Sequence, residues 1–183
     1  MRLDRQLLES ELLVTRCQRG DQTAFEGIVR LWERSLFYYL RRLASSEADT
    51  WDLLQETWLK VFRSMGSIRD PRTLPAFLYK TARNTAISRL RVREMGELQP
   101  DTTDASECES AFIAFDNAEQ VHHALDQLPL PQREALTLFF LAELSIDEIA
   151  QVLGVAVGTV KSRLHYARKT MRQILSDGAD HAG

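Results

Sequence analysis

The segment from Ser145 to His165 has the sequence SIDEIAQVLGVAVGTVKSRLH, and it decides the fold that we expect for this chain. Ser145 and Glu148 have the spacing of a capping box, in which each side chain accepts a hydrogen bond from the backbone N–H of the other residue. Gly154 is expected to end the first helix, because glycine adopts the left-handed conformation at little cost. A second apolar stripe follows after a short turn. The spacing therefore predicts a helix-turn-helix over about residues 146–165.

The second helix of this pair is the candidate DNA-binding element. Residues 157–172 contain five basic residues and no acidic residue, so this helix offers positive charge to phosphate groups. Its outer face carries side chains that can reach base edges or phosphates, namely Thr159, Lys161, Ser162, Arg163 and His165. The alternative is a solvated helical hairpin that binds nothing. The capping box, the turn glycine and the basic second helix together favour DNA binding.

The rest of the chain also has the periodicity of helices. Apolar residues recur at intervals of three and four from Phe25 to Leu43, and again from Trp51 to Phe62. Gly20-Asp21 supplies a stop for a preceding helix and a cap for the next one. A further helix is expected to begin near Pro75, because proline is tolerated in a first turn. No stretch alternates convincingly with the period of a strand, so the sequence predicts an all-α protein with an N-terminal helical bundle.

Charge is segregated along the chain and marks the domain boundaries. The 183 residues carry a net charge of −3, but residues 94–119 hold eight carboxylates and no Lys or Arg. This acidic stretch also contains Gly96 and Pro100 and has little helical pattern, which is typical of a flexible linker. We therefore expect two small helical domains, over residues 1–94 and 118–183, joined by an acidic flexible linker over residues 95–117.

Several classes of protein are disfavoured by the same sequence. The apolar runs are far shorter than the roughly 20 residues of a membrane-spanning helix, and no secretory signal is visible, so we expect a cytoplasmic protein without membrane insertion. Cys17 and Cys108 are far apart and are expected to be reduced thiols. The histidines lack the spacing of a metal site, and no phosphate-binding loop or catalytic set can be assembled. We expect no enzymatic activity, no catalytic residue, no metal and no cofactor.

The chain resembles the bacterial RNA polymerase sigma factors of the sigma-70 family, extracytoplasmic-function (ECF, group IV) subfamily. Its N-terminal half resembles sigma region 2 in DLLQETW, residues 52–58, and in FLYKTARN, residues 77–84. Its C-terminal half resembles sigma region 4 in residues 128–134, 145–150 and 157–164. The two-region layout without a large intervening domain points to this group instead of the housekeeping sigma factors.

The resemblance implies a function and a set of partners. A sigma factor binds core RNA polymerase through the β′ coiled coil and the β flap, and it directs promoter-specific initiation of transcription. Region 4 is then expected to read the −35 element and region 2 to open the −10 element, in a stress- or signal-responsive regulon. Promoter DNA is the second partner, and an anti-sigma factor is a further candidate. The alternative is a helix-turn-helix transcriptional regulator that does not bind core polymerase as a sigma subunit.

The resemblance also assigns roles to residues in the N-terminal half. Asp52, Gln55 and Glu56 share one helix face, which the residues alone would predict to be a solvated polar face. The resemblance implies instead that this face docks the basic β′ coiled coil, while Trp51 is expected to pack in the core. The loop from Ser64 to Arg72 is expected to engage the −10 element. A polar and basic stripe on the following helix has the same expected role, and it consists of Lys80, Arg83, Asn84 and Arg91.

Overall fold

The computed structural model describes residues 2–96, 124–140 and 142–180, which fall into an N-terminal and a C-terminal unit. The N-terminal unit contains helices α1 (Arg2–Gln18), α2 (Gln22–Arg41), α3 (Glu47–Ser64) and α4 (Leu74–Gly96). The C-terminal unit contains helices α5 (Leu130–Phe140), α6 (Ile146–Leu153) and α7 (Val157–Asp180). Within these ranges no residue forms a β-strand, and the predicted all-α fold is confirmed. Residues 97–117 of the predicted linker, and Cys108 with them, lie outside the described residues.

The junction between α1 and α2 follows the sequence prediction. Gly20 has a φ of 90°, a conformation that glycine adopts readily, and it ends the turn that follows α1. Asp21 is the N-cap of α2, and its carboxylate accepts a hydrogen bond of 3.0 Å from the backbone N–H of Thr23. Arg16, in the last turn of α1, contacts the same carboxylate at 2.7 Å. One aspartate therefore fixes the entry to α2 and ties it to α1.

The core of the N-terminal unit is built around the buried face of α2. Trp32, Leu36 and Tyr39 are buried on this face, as the periodicity predicts. Tyr79 of α4 packs edge-to-face on Tyr39, with ring centroids 5.3 Å apart, and on Trp32 at 6.5 Å. Such aromatic pairs add stability beyond the area that they bury. Tyr79 is thus a core residue of the bundle.

Helix α3 buries Leu54, Trp58 and Val61 of the predicted apolar stripe, but its buried arc also includes two threonines. Thr50 and Thr57 are fully buried, and each hydroxyl donates to a backbone carbonyl one turn earlier in the helix. Because both hydroxyls are hydrogen-bonded within the helix, the threonines can be buried at little cost. The buried side of α3 therefore includes them and leaves Trp51 on the exposed side. The expectation that Trp51 packs in the core is wrong, since this side chain is 50% exposed. Its ring contacts Phe37 of α2 at a tilted angle of 43°, with centroids 4.5 Å apart.

The loop before α4 contains two short 3-10 turns, Met65–Ser67 and Pro71–Thr73. It is held to the bundle by Gln18, whose side-chain amide donates a 2.6 Å hydrogen bond to the carbonyl of Ile68. Helix α4 then begins at Leu74, with Pro75 in its first turn as predicted. The hydrogen bond from Gln18 thus ties this loop to the end of α1.

The C-terminal unit contains the predicted helix-turn-helix. The Ser145 hydroxyl accepts from the backbone N–H of Glu148 at 3.3 Å, and the Glu148 carboxylate accepts from the backbone N–H of Ser145 at 2.9 Å. Both halves of the capping box are therefore formed at the start of α6. Gly154 ends α6 in the left-handed conformation, with a φ of 66°. Helix α7 packs against α5 and buries a stripe that consists of Val160, Leu164 and Ala167.

Candidate functional site

The predicted polymerase-binding residues lie together on one exposed side of α3. Asp52, Gln55 and Glu56 are all exposed, and we call this set the α3 face. Neither of its carboxylates is isolated. Asp52 accepts a 3.2 Å hydrogen bond from Arg89 of α4, and Glu56 pairs at 2.7 Å with Lys60 one turn further along α3. The α3 face therefore carries negative charge whose nearest cations belong to the same chain.

An apolar groove runs beside the α3 face, between α2 and α3. Its volume is about 460 Å³, and it is lined by Phe25, Glu33, Trp51, Asp52, Leu54, Gln55, Trp58, Leu59 and Phe62. Trp51, Leu59 and Phe62 each expose half or more of their surface. Clustered exposed apolar side chains beside polar ones are typical of interaction sites. Sequence analysis missed this groove, although Leu59 lies off the predicted apolar stripe and could have indicated it.

The predicted DNA-binding stripe of α4 is largely exposed. Lys80, Asn84 and Arg91 are exposed on one side of the helix, and Arg83 is half-buried beside them. The buried side of the same helix is lined by Leu78, Ala82 and Ala86. Positive charge and an amide group thus face away from the bundle, where they can reach a phosphate backbone and a base edge.

In the loop before α4, one of the arginines is engaged within the chain. Arg72 donates hydrogen bonds to both carboxylate oxygens of Asp70, from Nε to Oδ1 at 3.0 Å and from Nη2 to Oδ2 at 2.9 Å, and forms an ion pair with it. These hydrogen bonds hold the pKa of the Asp70 carboxyl below its ordinary value. Arg69, three residues before Arg72, is exposed. Arg69 is therefore better placed than Arg72 to offer its charge to DNA.

The predicted recognition residues lie in the first half of α7. Thr159, Lys161, Ser162 and His165 are exposed, whereas Arg163 is half-buried at the edge of the packed stripe. The Ser162 hydroxyl donates to the carbonyl of Gly158 at 3.0 Å, so it is satisfied within the helix in the absence of DNA. The structure thus brings four of the five predicted residues to the surface and leaves Arg163 at its margin.

Two of the five basic residues of α7 were counted by the sequence analysis but were not assigned to the recognition set. Arg168 and Arg172 continue the line of Lys161 and His165 at helical spacing, and these four side chains line a cleft of about 260 Å³ with Ile146 and Leu164. The Arg168 guanidinium lies 5.0 Å from the ring centroid of Phe139 and 5.6 Å from that of Phe140. Cation–π contacts of this kind hold an arginine in place without neutralising it. Lys161, His165, Arg168 and Arg172 follow one another at intervals of four, three and four residues. This helical spacing could have indicated that Arg168 and Arg172 lie on the same side of α7.

Metal-binding clusters and membrane spans are absent from the part of the chain that the structure describes. In the described ranges, no three His, Cys, Asp or Glu side chains lie close enough together to hold a metal ion. None of the described helices is both long and apolar enough to cross a bilayer.

Comparison with known proteins identifies both halves of the chain. Residues 28–94 match the family model described as Sigma-70 region 2, and residues 118–171 match the model described as Sigma-70, region 4. The RNA polymerase sigma-H factor of Pseudomonas aeruginosa is 30% identical over 91% of this chain and 94% of its own length. The ECF RNA polymerase sigma-E factor of Escherichia coli is 32% identical over 90% of this chain and 93% of its own length. These relatives span nearly the whole chain, which disfavours the alternative of a separate class of regulator.

Solved structures agree with the sequence relatives. The sigma factor RpoE of Bartonella quintana, solved in complex with the anti-sigma factor NepR, is 26% identical and covers 83% of this chain and 96% of its own, with a TM-score of 0.69. CnrH, solved with the cytosolic domain of CnrY, has the same fold, with a TM-score of 0.64 at 21% identity over 92% of this chain and 98% of its own. The chain therefore belongs to the extracytoplasmic-function sigma factors of RNA polymerase, and it directs promoter-specific initiation of transcription.

Proposed function

We propose that the α3 face docks the β′ coiled coil of core RNA polymerase, that α4 engages the −10 element and that α7 reads the −35 element. The observation that carries this proposal is the exposure of Asp52, Gln55 and Glu56 together on one side of α3, beside an apolar groove. A basic coiled coil finds there both carboxylates and apolar surface. The protein acts in this scheme as a binding and positioning factor in the cytoplasm, without catalysis of its own.

The proposed polymerase contact combines two kinds of interaction. The carboxylates of Asp52 and Glu56 attract basic side chains and orient the encounter, which raises association rates. Exposed Trp51 beside them offers the large aromatic surface that most often dominates interface energies. Apolar contact in the groove is expected to supply affinity, while the charges supply orientation.

The proposed DNA contacts divide into backbone and base contacts. Lys80 and Arg91 on α4 and Lys161 on α7 are exposed cations suited to phosphate groups. Asn84 and Arg163 have side chains that can form paired hydrogen bonds with base edges. Arg168, whose guanidinium packs on the ring of Phe139, adds a further cation on the same helix as the recognition residues. Binding should therefore weaken steeply with salt.

Two further partners belong to the proposal. The β flap of core polymerase is the expected contact of the C-terminal unit. An anti-sigma factor is a candidate regulator, because the related Bartonella quintana sigma factor was solved in complex with one. Such a regulator would make the activity responsive to a stress or another signal.

The proposed docking face is tested by binding to core polymerase freed of sigma subunits. The variant Asp52→Ala/Glu56→Ala should compete at least about tenfold less well than the wild-type protein against labelled wild type, because truncated hot-spot charges typically cost more than about 1 kcal/mol. The control is Glu9→Ala, which removes an exposed carboxylate on α1. Equal competition by all three proteins would contradict the proposed docking face.

A further inference from the structure

The two carboxylates of the α3 face are both occupied by cations from the same chain. The Oδ2 atom of Asp52 lies 3.2 Å from a terminal nitrogen of Arg89. The Oε1 atom of Glu56 lies 2.7 Å from the Nζ atom of Lys60. Both carboxylates remain substantially exposed, so that a partner from solvent can reach the same oxygen atoms.

Each of these cations is also held by a second group. The Nε atom of Arg89 lies 3.4 Å from the Oδ1 atom of Asp49, a carboxylate that is 7% exposed. The ammonium group of Lys60 donates a 3.1 Å hydrogen bond to the hydroxyl of Thr85 on α4, which is fully buried. Because of these second contacts, both cations are kept at the junction of α3 and α4, beside the α3 face.

A basic partner must therefore compete for oxygen atoms that the chain already engages. The partner's cations gain attraction from Asp52 and Glu56, but they also approach Arg89 and Lys60, which repel them. Exposed ion pairs are weak and exchange readily, so such a contact lowers affinity without blocking it.

We propose that Lys60 and Arg89 are built-in competitors that weaken docking of the basic polymerase coiled coil on the α3 face. Docking then exchanges the intramolecular pairs Glu56–Lys60 and Asp52–Arg89 for pairs with the partner. This inference rests on the proposed function of the α3 face. It deepens that function by naming the groups that set the affinity for core polymerase.

A competitor role and a purely structural role predict opposite changes in the affinity for core polymerase when Lys60 or Arg89 is removed. If Lys60 and Arg89 only clamp α3 to α4, removing either one should leave docking unchanged or weaken it. If they compete with the partner, removing either one should tighten docking, because Glu56 or Asp52 is then left to the partner alone. A conservative replacement that keeps the positive charge should preserve the wild-type affinity.

The test measures how the full chain competes with labelled wild-type protein for sigma-free core polymerase. Lys60→Gln and Arg89→Gln should each bind about two- to fivefold more tightly at low salt, the range expected for removal of one exposed ion pair. Lys60→Arg should bind like the wild type. In about 0.5 M salt the two variants should bind almost like the wild type, since screening weakens exposed charge interactions. The charge-matched control is Arg5→Gln on the exposed side of α1, which should bind like the wild type.

Arg89 also serves the buried Asp49, so Arg89→Gln is expected to lower the melting temperature, and Lys60→Gln is the decisive variant. The Thr85 hydroxyl, which accepts from Lys60 in the wild type, also donates to the carbonyl of Thr81 at 2.9 Å, so it keeps a hydrogen bond when Lys60 is replaced. If Lys60→Gln melts like the wild type but binds core equally or more weakly, the competitor role is wrong. The same conclusion follows if Arg5→Gln tightens binding as much as Lys60→Gln.

The outcome is separable from that of the proposed function. If Asp52→Ala/Glu56→Ala loses core binding and Lys60→Gln gains none, the docking face stands and the competitor role alone falls. If Asp52→Ala/Glu56→Ala binds like the wild type, the docking face itself falls, and the competitor role falls with it.

Discussion

The indole nitrogen of Trp32 donates a 2.9 Å hydrogen bond to the hydroxyl of Ser10, joining α2 to α1 inside the N-terminal unit. Ser10 is 1% exposed and Trp32 is 2% exposed, so water cannot replace either partner. Ser10 also donates to the carbonyl of Gln6 at 2.7 Å. A buried donor left without its acceptor carries the full cost of its desolvation.

The first prediction follows from this buried pair. Ser10→Ala should lower the free energy of unfolding by about 1–3 kcal/mol, because it leaves the Trp32 indole N–H without an acceptor. Urea denaturation followed by circular dichroism measures the change. Ser10→Ala in a Trp32→Phe background should cost clearly less than in the wild type. Equal costs in both backgrounds would show that the hydrogen bond contributes nothing.

The second prediction concerns the capping box of α6. Ser145→Ala should destabilise the C-terminal unit by about 1 kcal/mol, since the first turn loses its side-chain acceptor. Ser145→Asp keeps an acceptor at this position and should retain most of the stability. Hydrogen exchange at the amides of α6 measures both variants. Unchanged protection in Ser145→Ala would mean that packing alone holds the helix.

The third prediction concerns the stability of the protein at acidic pH. The hydrogen bond from Thr23, with that from Arg16, lowers the pKa of Asp21 from 3.8 to about 2. A lowered folded-state pKa adds stability that is present above the unfolded-state value and is lost as the pH falls through about 2. Asp21→Asn keeps a capping side chain but cannot titrate. Its urea midpoint should therefore fall less between pH 4 and 2 than that of the wild type, and parallel curves would contradict the assignment.

The fourth prediction concerns the exposed Trp51 beside the α3 face. Trp51→Ala should weaken core binding by about tenfold or more, as expected for an aromatic anchor, while changing the free energy of unfolding by about 1 kcal/mol or less. Leu8→Ala removes another exposed apolar side chain, on α1, and serves as the control. Competition against labelled wild type and thermal melting separate the two effects. Core binding that matches the Leu8→Ala control would exclude Trp51 from the interface.

The fifth prediction separates base contacts from phosphate contacts on α7. Arg163→Ala should lower affinity for promoter DNA more than affinity for unrelated DNA, whereas Lys161→Ala should lower both alike and reduce the salt slope by about one. Titrations of the protein with core polymerase, at several salt concentrations, measure both quantities. Equal losses on both DNAs for Arg163→Ala would assign Arg163 to a phosphate.

Much of the fold was predictable because its helix ends are encoded locally. The Asp21 cap, the Ser145 capping box and the left-handed Gly154 depend on residues within a few positions of one another. The exposure of Asp52 and Lys80 was likewise predictable from helical spacing. The roles of these exposed residues, however, came from the family resemblance, because a solvated polar face has the same pattern.

The features that could not be predicted from the sequence depend on how the helices pack against one another. Thr57 is polar in sequence, but its hydroxyl bonds to the carbonyl of Leu53 and can be buried, which turns Trp51 outward. Arg89 meets Asp52 across 37 positions, and no local pattern indicates that pairing. The aromatic support of Arg168 depends in the same way on the packing of α7 against α5.

Transcription in vitro tests whether the chain acts as a sigma factor. Sigma-free core polymerase is given a pool of genomic promoter fragments with the wild-type protein, with Asp52→Ala/Glu56→Ala, or with neither. We expect discrete new transcripts that require the wild-type protein and are strongly reduced with the variant. If core polymerase stays silent while the wild-type protein still binds DNA specifically, the chain does not act as a sigma factor.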